Sequence, residues 1–98
     1  MRDHTAEDVA IDLAAILADL RYTSVFEAED GARQAECALA DYRAGRADSA
    51  WCEDQAIEGA ARADASAKVL RDQGDPRWIE ASRHAQAAWE AAVKIAEG

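Results

Sequence analysis

The sequence predicts an all-α protein: four antiparallel helices in an up-down-up-down, bundle-like arrangement that forms one domain over residues 1–98. Ala, the strongest helix former, supplies 26 of the 98 residues, and the strand-forming residues Val, Ile and Thr are few. Only one Pro and five Gly interrupt the chain. A chain of this length builds one modest core. Because small side chains supply most of its apolar surface, we expect the helix axes to approach closely.

The first predicted helix runs from Thr5 to Tyr22. Thr5 to Asp8 has the form of a capping box, which marks a helix start. The apolar residues that follow fall on one helical stripe: Val9, Leu13, Ile16, Leu17 and Leu20. The pair Thr23-Ser24 and a second capping-box pattern, Ser24 to Glu27, predict a turn into the next helix.

The second predicted helix ends at Gly45, which suits the left-handed position after a helix. Its seam has spacings of three and four residues: Val25, Ala28, Ala32, Ala35, Leu39 and Tyr42. Gly31 lies inside this stretch and costs about 1 kcal/mol relative to Ala if it is helical. The sequence alone gives no reason for that cost.

The third predicted helix starts with Asp48 or Ser49 as its cap and closes at Gly74. Its seam is made almost entirely of small residues: Cys52, Ala56, Ala60, Ala63, Ala67 and Leu70. Asp75-Pro76 starts the fourth helix, because Asp is a preferred cap and Pro suits the first helical position. This helix runs nearly to Gly98 with Trp78, Ser82, Ala85, Trp89, Ala92 and Ala96 in register, supported by Ile79 and Val93.

The aromatic residues are expected at the two ends of the bundle, with Tyr22, Phe26 and Trp78 at one end and Tyr42 and Trp51 at the other. Trp51 falls in the first turn of the third helix, off its seam. Two interpretations are open: a lid over the bundle end, which we favour, or an exposed anchor for a partner.

No motif in the chain predicts catalysis or a cofactor. Cys37 and Cys52 fall too far apart in a helical hairpin for a disulfide, which predicts two free thiols. Glu80 and His84 lie one helical turn apart but form no metal-ligand cluster. Without a Gly-rich phosphate loop or a nucleophile elbow, we expect neither an enzyme nor a metal site.

The formal net charge of −9 disfavours direct binding to nucleic acid or to anionic membranes. The N-terminal residues show no apolar stretch of a secretory signal, and no run reaches the length of a membrane span. The sequence therefore predicts a cytoplasmic protein. Two interpretations of its acidity are open: solubility, which we favour, or a surface that suits a protein partner with basic residues.

The acids differ in whether their own helix supplies a base one turn away. Four pairs have that spacing: Glu29 with Arg33, Glu58 with Arg62, Asp64 with Lys68, and Glu90 with Lys94. Asp8, Asp12 and Asp19 flank the stripe of the first helix without such a base. In the up-down arrangement the third helix starts at the same end, so Glu53 and Asp54 join these acids. We predict partner binding by this acidic patch together with Trp51.

Small size, strong acidity, an all-helical build and the lack of catalytic motifs make the chain resemble phage-encoded anti-CRISPR proteins, several of which occupy nucleic-acid-binding surfaces of their targets. The resemblance covers the profile of the whole chain and includes no shared motif. It implies a non-catalytic inhibitor that binds a Cas complex in the host cytoplasm and needs no cofactor. The alternative is a structural or self-associating helical protein, in which Ala-rich seams and exposed Trp residues pair two chains as a homodimer.

Overall fold

The computed structural model describes the backbone of residues 6–98 and the side chains of residues 24–98. The described chain forms three α-helices and no strand: α1 (Ala6–Arg43), α2 (Ser49–Asp72) and α3 (Trp78–Glu97). The predicted all-α class is confirmed, but the predicted count of four helices is wrong. The first two predicted helices are one helix of 38 residues, about 57 Å long at 1.5 Å per residue.

The predicted turn at Thr23-Ser24 is absent because a contact with another helix replaces the local cap. Glu27, the residue expected to cap Ser24, accepts hydrogen bonds from Arg62 of α2 instead. Thr and Ser cost only about 0.5 kcal/mol in a helix interior. Ala28 and Ala32 beyond the pair are buried, and their packing stabilises the continuous helix.

The two loops form where the sequence predicts them. Gly45 and Gly74 have φ angles of 67° and 69°, a region that a residue with a Cβ atom rarely adopts. Each follows a Schellman pattern: Arg46 N–H donates to Asp41 O at 3.0 Å, and Asp75 N–H donates to Leu70 O at 2.9 Å. These bonds satisfy carbonyls at the ends of α1 and α2.

An aspartate precedes each of the helices α2 and α3, but only the first is an N-cap. Asp48 Oδ2 accepts from Trp51 N–H at 3.4 Å, so Asp48 is the cap of α2. The predicted start of the last helix at Asp75-Pro76 is wrong: Arg77 is the N-cap residue of α3 and has no side-chain cap bond, while Asp75 Oδ1 accepts from Arg77 N–H at 3.0 Å in the turn before the helix. The regular helix begins three residues later, at Trp78, because the intervening backbone bonds span three residues rather than four.

The core between the helices is built from alanine. Its buried members are Ala28, Ala32, Ala35 and Ala38 on α1, Ala56, Ala60, Ala63 and Ala67 on α2, and Ala81, Ala85, Ala88, Ala91 and Ala92 on α3. Leu70 and Cys52 are the largest side chains in the described part that are fully buried, and Ile95 is nearly so. The seam predicted for the third helix, which is α2 in the structure, is therefore confirmed.

The antiparallel helices α1 and α2 cross at two glycines, Gly31 and Gly59. A Cβ atom added at either position meets the backbone carbonyl oxygen of the other. The added atom at Gly59 also comes within 3.1 Å of the backbone nitrogen of Ala35. The helix cost of Gly31 thus has a structural reason: only glycine lets the two backbones approach this closely.

The buried face of α3 differs from the predicted one. Ala85 and Ala92 are buried as predicted, but Trp89, Ile79 and Val93 are exposed. The actual seam consists of alanines and Ile95, because a groove between two closely spaced helices admits small side chains best. Phe26, one of the aromatic residues predicted at the bundle ends, is exposed.

Among the described residues, none of the helices combines the length and the apolar character needed to span a membrane.

Candidate partner-binding surface on α2

Trp51 lies in the first turn of α2 and is 50% exposed. Half of its surface is open to solvent, which favours the surface-anchor interpretation over the lid interpretation. Its backbone is fixed by the Asp48 cap, so the indole projects from an ordered helix start. Exposed tryptophans on rigid elements are well suited to protein contacts because they bury a large area with few rotatable bonds.

Arg62 of α2 reaches across to α1. Its Nε and Nη2 donate to Glu27 Oε2 at 3.2 and 2.9 Å, and Nη2 also donates to Asp30 Oδ2 at 2.8 Å. Its Nη1 donates to Gln34 Oε1 at 2.7 Å. The hydrogen bonds to Asp30 and Glu27 raise the pKa of Arg62 above its already high usual value. Arg62 is thereby committed to the α1–α2 interface.

This commitment leaves Glu58 without the base that its own helix was predicted to supply. None of the four predicted intrahelical pairs is among the ion pairs between described side chains. Glu58 and Asp54 are exposed, and neither forms an ion pair with a described residue. The positions of Trp51, Asp54 and Glu58 differ by three and seven residues, so they share one side of α2.

The α2 outer surface, defined as Trp51, Asp54 and Glu58, contains two of the predicted partner-binding residues. Glu58 was missed because sequence spacing paired it with Arg62. The missed signal was the spacing of Glu27, Asp30 and Gln34 on α1, which places three acceptors on one face. Glu53 is half-buried and lies about 200° around the helix from Trp51, so it does not belong to this surface.

The side chains of Asp8, Asp12 and Asp19 lie outside the described residues. The arrangement that joined them to Glu53 and Asp54 is wrong, because α2 starts beside the end of α1. With Gly31 opposite Gly59, Asp54 lies opposite residue 36 of α1, about 26 Å along the helix from Asp19. One continuous acidic patch is thus excluded, and partner binding by the three aspartates stays a prediction.

The two thiols differ in their exposure to solvent. Cys37 is exposed and Cys52 is buried, and both are free. Burial, with smaller contributions from Asp41 and Asp48, raises the pKa of Cys52, which keeps this thiol neutral. These features are typical of a packed cysteine rather than of a nucleophile.

A cleft of about 250 Å³ is lined by Asp64, Ala67, Lys68, Arg71, Trp78 and Ser82. No described side chain hydrogen-bonds the Ser82 hydroxyl. No group of three potential metal ligands occurs among the described residues. The α2 outer surface is therefore the best candidate site in the described chain.

The described part of the chain and this surface define a class: three alanine-packed helices with an exposed tryptophan beside acids that form no ion pair with a described residue. Comparisons with models of protein families, with curated proteins and with solved structures find no match for the chain. Its function is therefore argued from its own residues.

Proposed function

We propose that this chain is a non-catalytic protein-binding inhibitor whose α2 outer surface docks on a basic region of a nucleic-acid-binding target. The observation that supports the proposal is the exposed Trp51 beside Asp54 and Glu58, which form no ion pair with a described residue; Glu58 lacks its expected base because Arg62 binds α1. An aromatic anchor with a charged rim is the composition that protein contacts favour.

The two kinds of side chain have different tasks in this proposal. Trp51 supplies most of the binding energy, because burying its ring removes a large apolar area from water. Asp54 and Glu58 orient the chain on a basic surface and raise the association rate, in the positions that phosphates of a nucleic acid would otherwise occupy. Following the resemblance of the whole sequence, the proposed target is a Cas complex.

Binding to purified Cas effector complexes tests the proposal, with association and dissociation rates measured at two salt concentrations. We expect Trp51→Ala to raise the dissociation rate by about 30-fold or more. Asp54→Arg with Glu58→Arg should mainly slow association, and the slowing should be larger at low salt.

A matched control distinguishes an effect of the α2 outer surface on the association rate from an effect of net charge. Glu29 and Glu36 on α1 are exposed and form no ion pair with a described residue, so Glu29→Arg with Glu36→Arg changes the net charge equally. The control should retain most of the association rate. Equal slowing by both double variants would show that only overall charge matters, and would contradict a site on α2.

Competition tests the inhibitory part of the proposal. Target DNA in excess should reduce binding of the chain to the effector, and the chain should reduce DNA cleavage. Binding without competition would contradict occupation of the nucleic-acid surface. Failure to bind effectors of every CRISPR type tested would rule out a Cas target.

A further inference from the structure

The outer side of α3 carries a second apolar face, opposite its alanine seam. Ile79 and Val93 are 47% and 50% exposed and lie seven residues before and after Gln86. Trp89, 38% exposed, lies three residues after Gln86. This spacing of seven and three is a heptad pattern, which helices use to pair along their length. The α3 outer face is defined as Ile79, Ser82, Gln86, Trp89, Val93 and Ala96.

We propose that the α3 outer face pairs with the same face of a second copy of this chain, antiparallel, with a two-fold axis near Gln86. Ile79 and Val93 lie at equal distances on either side of that residue. Antiparallel pairing places Ile79 on Val93 of the second copy, and the symmetry repeats this contact once more. Gln86 meets Gln86 at the centre, where a polar side chain fixes the register.

The charges beside this face select the antiparallel orientation. Arg83 and Glu90 lie on the same edge of α3, three residues before and four residues after Gln86. Neither forms an ion pair with a described side chain of its own chain, although Glu90 accepts a 3.5 Å hydrogen bond from Gln86. With the axis near Gln86, antiparallel pairing brings Arg83 within one residue, about 1.5 Å along the helix, of the position opposite Glu90 of the second copy, and the contact occurs twice. Parallel pairing would put this edge of the two copies on opposite sides of the helix pair, where Arg83 and Glu90 would not meet.

The chain holds Trp89 ready for such a contact. The indole Nε1–H donates to Asp64 Oδ2 on α2 at 2.5 Å, so its only polar atom is already satisfied. The ring is fixed beside a shallow groove of about 430 Å³, lined by Gln86, Trp89, Glu90, Val93, Lys94 and Glu97. Ile79 of the second copy is placed over this groove by the antiparallel register.

The area of the α3 outer face limits how tightly two copies of the chain can bind. A single pair of helices of 20 residues falls near or below about 1,200 Å² of total buried area, the range of weak complexes. We therefore expect a reversible dimer with a dissociation constant on the order of 10–100 μM. This pairing uses α3 and is independent of the proposed function, which uses α2.

Sedimentation equilibrium of the full chain, at concentrations on both sides of that range, tests the pairing. Arg83→Glu alone and Glu90→Arg alone each turn two attractive pairs into two repulsive ones, so each should weaken the homodimer by roughly tenfold. Mixed together, the two variants regain both attractive pairs and should form a heterodimer of near-original affinity. A structural role of either residue within one chain would not produce this rescue.

Disulfide trapping fixes the register. In a Cys37→Ser background, Gln86→Cys should form a crosslinked dimer on mild oxidation, since the two positions meet at the axis. Ala65→Cys, exposed on α2, should crosslink far more slowly.

Two outcomes would overturn the proposal: a chain that remains monomeric throughout the concentration series, or a dimer unaffected by the charge reversals. Asp54→Arg with Glu58→Arg should leave the dimer unchanged. Loss of the dimer in that variant would instead place self-association on α2.

Discussion

The two helix interfaces of this chain are held by different means. Between α1 and α2, glycines allow backbone contact, and Arg62 bridges the helices through three side chains of α1. Against α3, the contact is made of alanine methyl groups, and the hydrogen bond from Trp89 to Asp64 is the polar side-chain link among the described residues. The first interface has a unique register, whereas the second depends on the fit of small side chains.

This difference explains which residues face solvent. A register fixed by Gly31, Gly59 and Arg62 leaves a narrow groove, and α3 fits it only with its alanine side inward. The larger residues Ile79, Trp89 and Val93 are thereby left on the outer side. The narrow groove between α1 and α2 thus explains both the alanine packing of α3 inside the chain and the apolar face that α3 presents outside it.

The largest effect is expected from enlarging the alanine seam of α3. Ala88 is fully buried, so Ala88→Leu should lower the free energy of unfolding by about 3 kcal/mol, measured by urea denaturation. Ala96 is exposed on the same helix, and Ala96→Leu should change stability little. Similar effects at both positions would show that α3 packs more loosely than its alanine seam suggests.

A somewhat smaller loss is expected at the glycine crossing. Gly59→Ala should destabilise the chain by about 2 kcal/mol, because the new Cβ meets the Gly31 carbonyl. Helix propensity alone predicts the opposite sign, a gain of about 1 kcal/mol. Ala65→Gly, at an exposed site of α2, calibrates that propensity term. A gain on Gly59→Ala would mean that the helices separate there at little cost.

The features that the sequence predicted well are local. Gly45, Gly74 and Asp48 fix loops and a cap through contacts within a few residues, so their patterns identify them. The turn at Thr23-Ser24 was predicted wrongly, because a contact 35 residues away takes Glu27 from the cap.

The buried side of α3 and the α2 outer surface were predicted less well, because both depend on contacts between helices. Helix α3 has two possible apolar sides, and only the narrow groove selects the smaller one. The same reasoning applies to the candidate site: Trp51 and Asp54 followed from position and charge, whereas Glu58 depended on where Arg62 points.

A moderate effect is expected from removing the bridge between α1 and α2. Arg62→Met keeps most of the apolar stem but leaves Glu27 and Asp30 without their base, which should cost about 1–2 kcal/mol. The cost stays below that of a buried pair because the Arg62 side chain is 29% exposed. Lys68→Met, which removes an exposed base that forms no ion pair with a described residue, should have no measurable effect.

The smallest perturbation changes no residue and uses the two thiols as probes. Cys37 is exposed, so a thiol reagent should label it at once in the native chain. Cys52 is buried and its raised pKa disfavours the reactive thiolate, so it should react only when the helices open. If Cys52 reacts only when the helices separate completely, its labelling rate should follow the free energy of unfolding. The loss expected for Arg62→Met then corresponds to an acceleration of about 5–30-fold. A markedly smaller acceleration would show that local opening exposes Cys52 while the bridge between α1 and α2 stays closed.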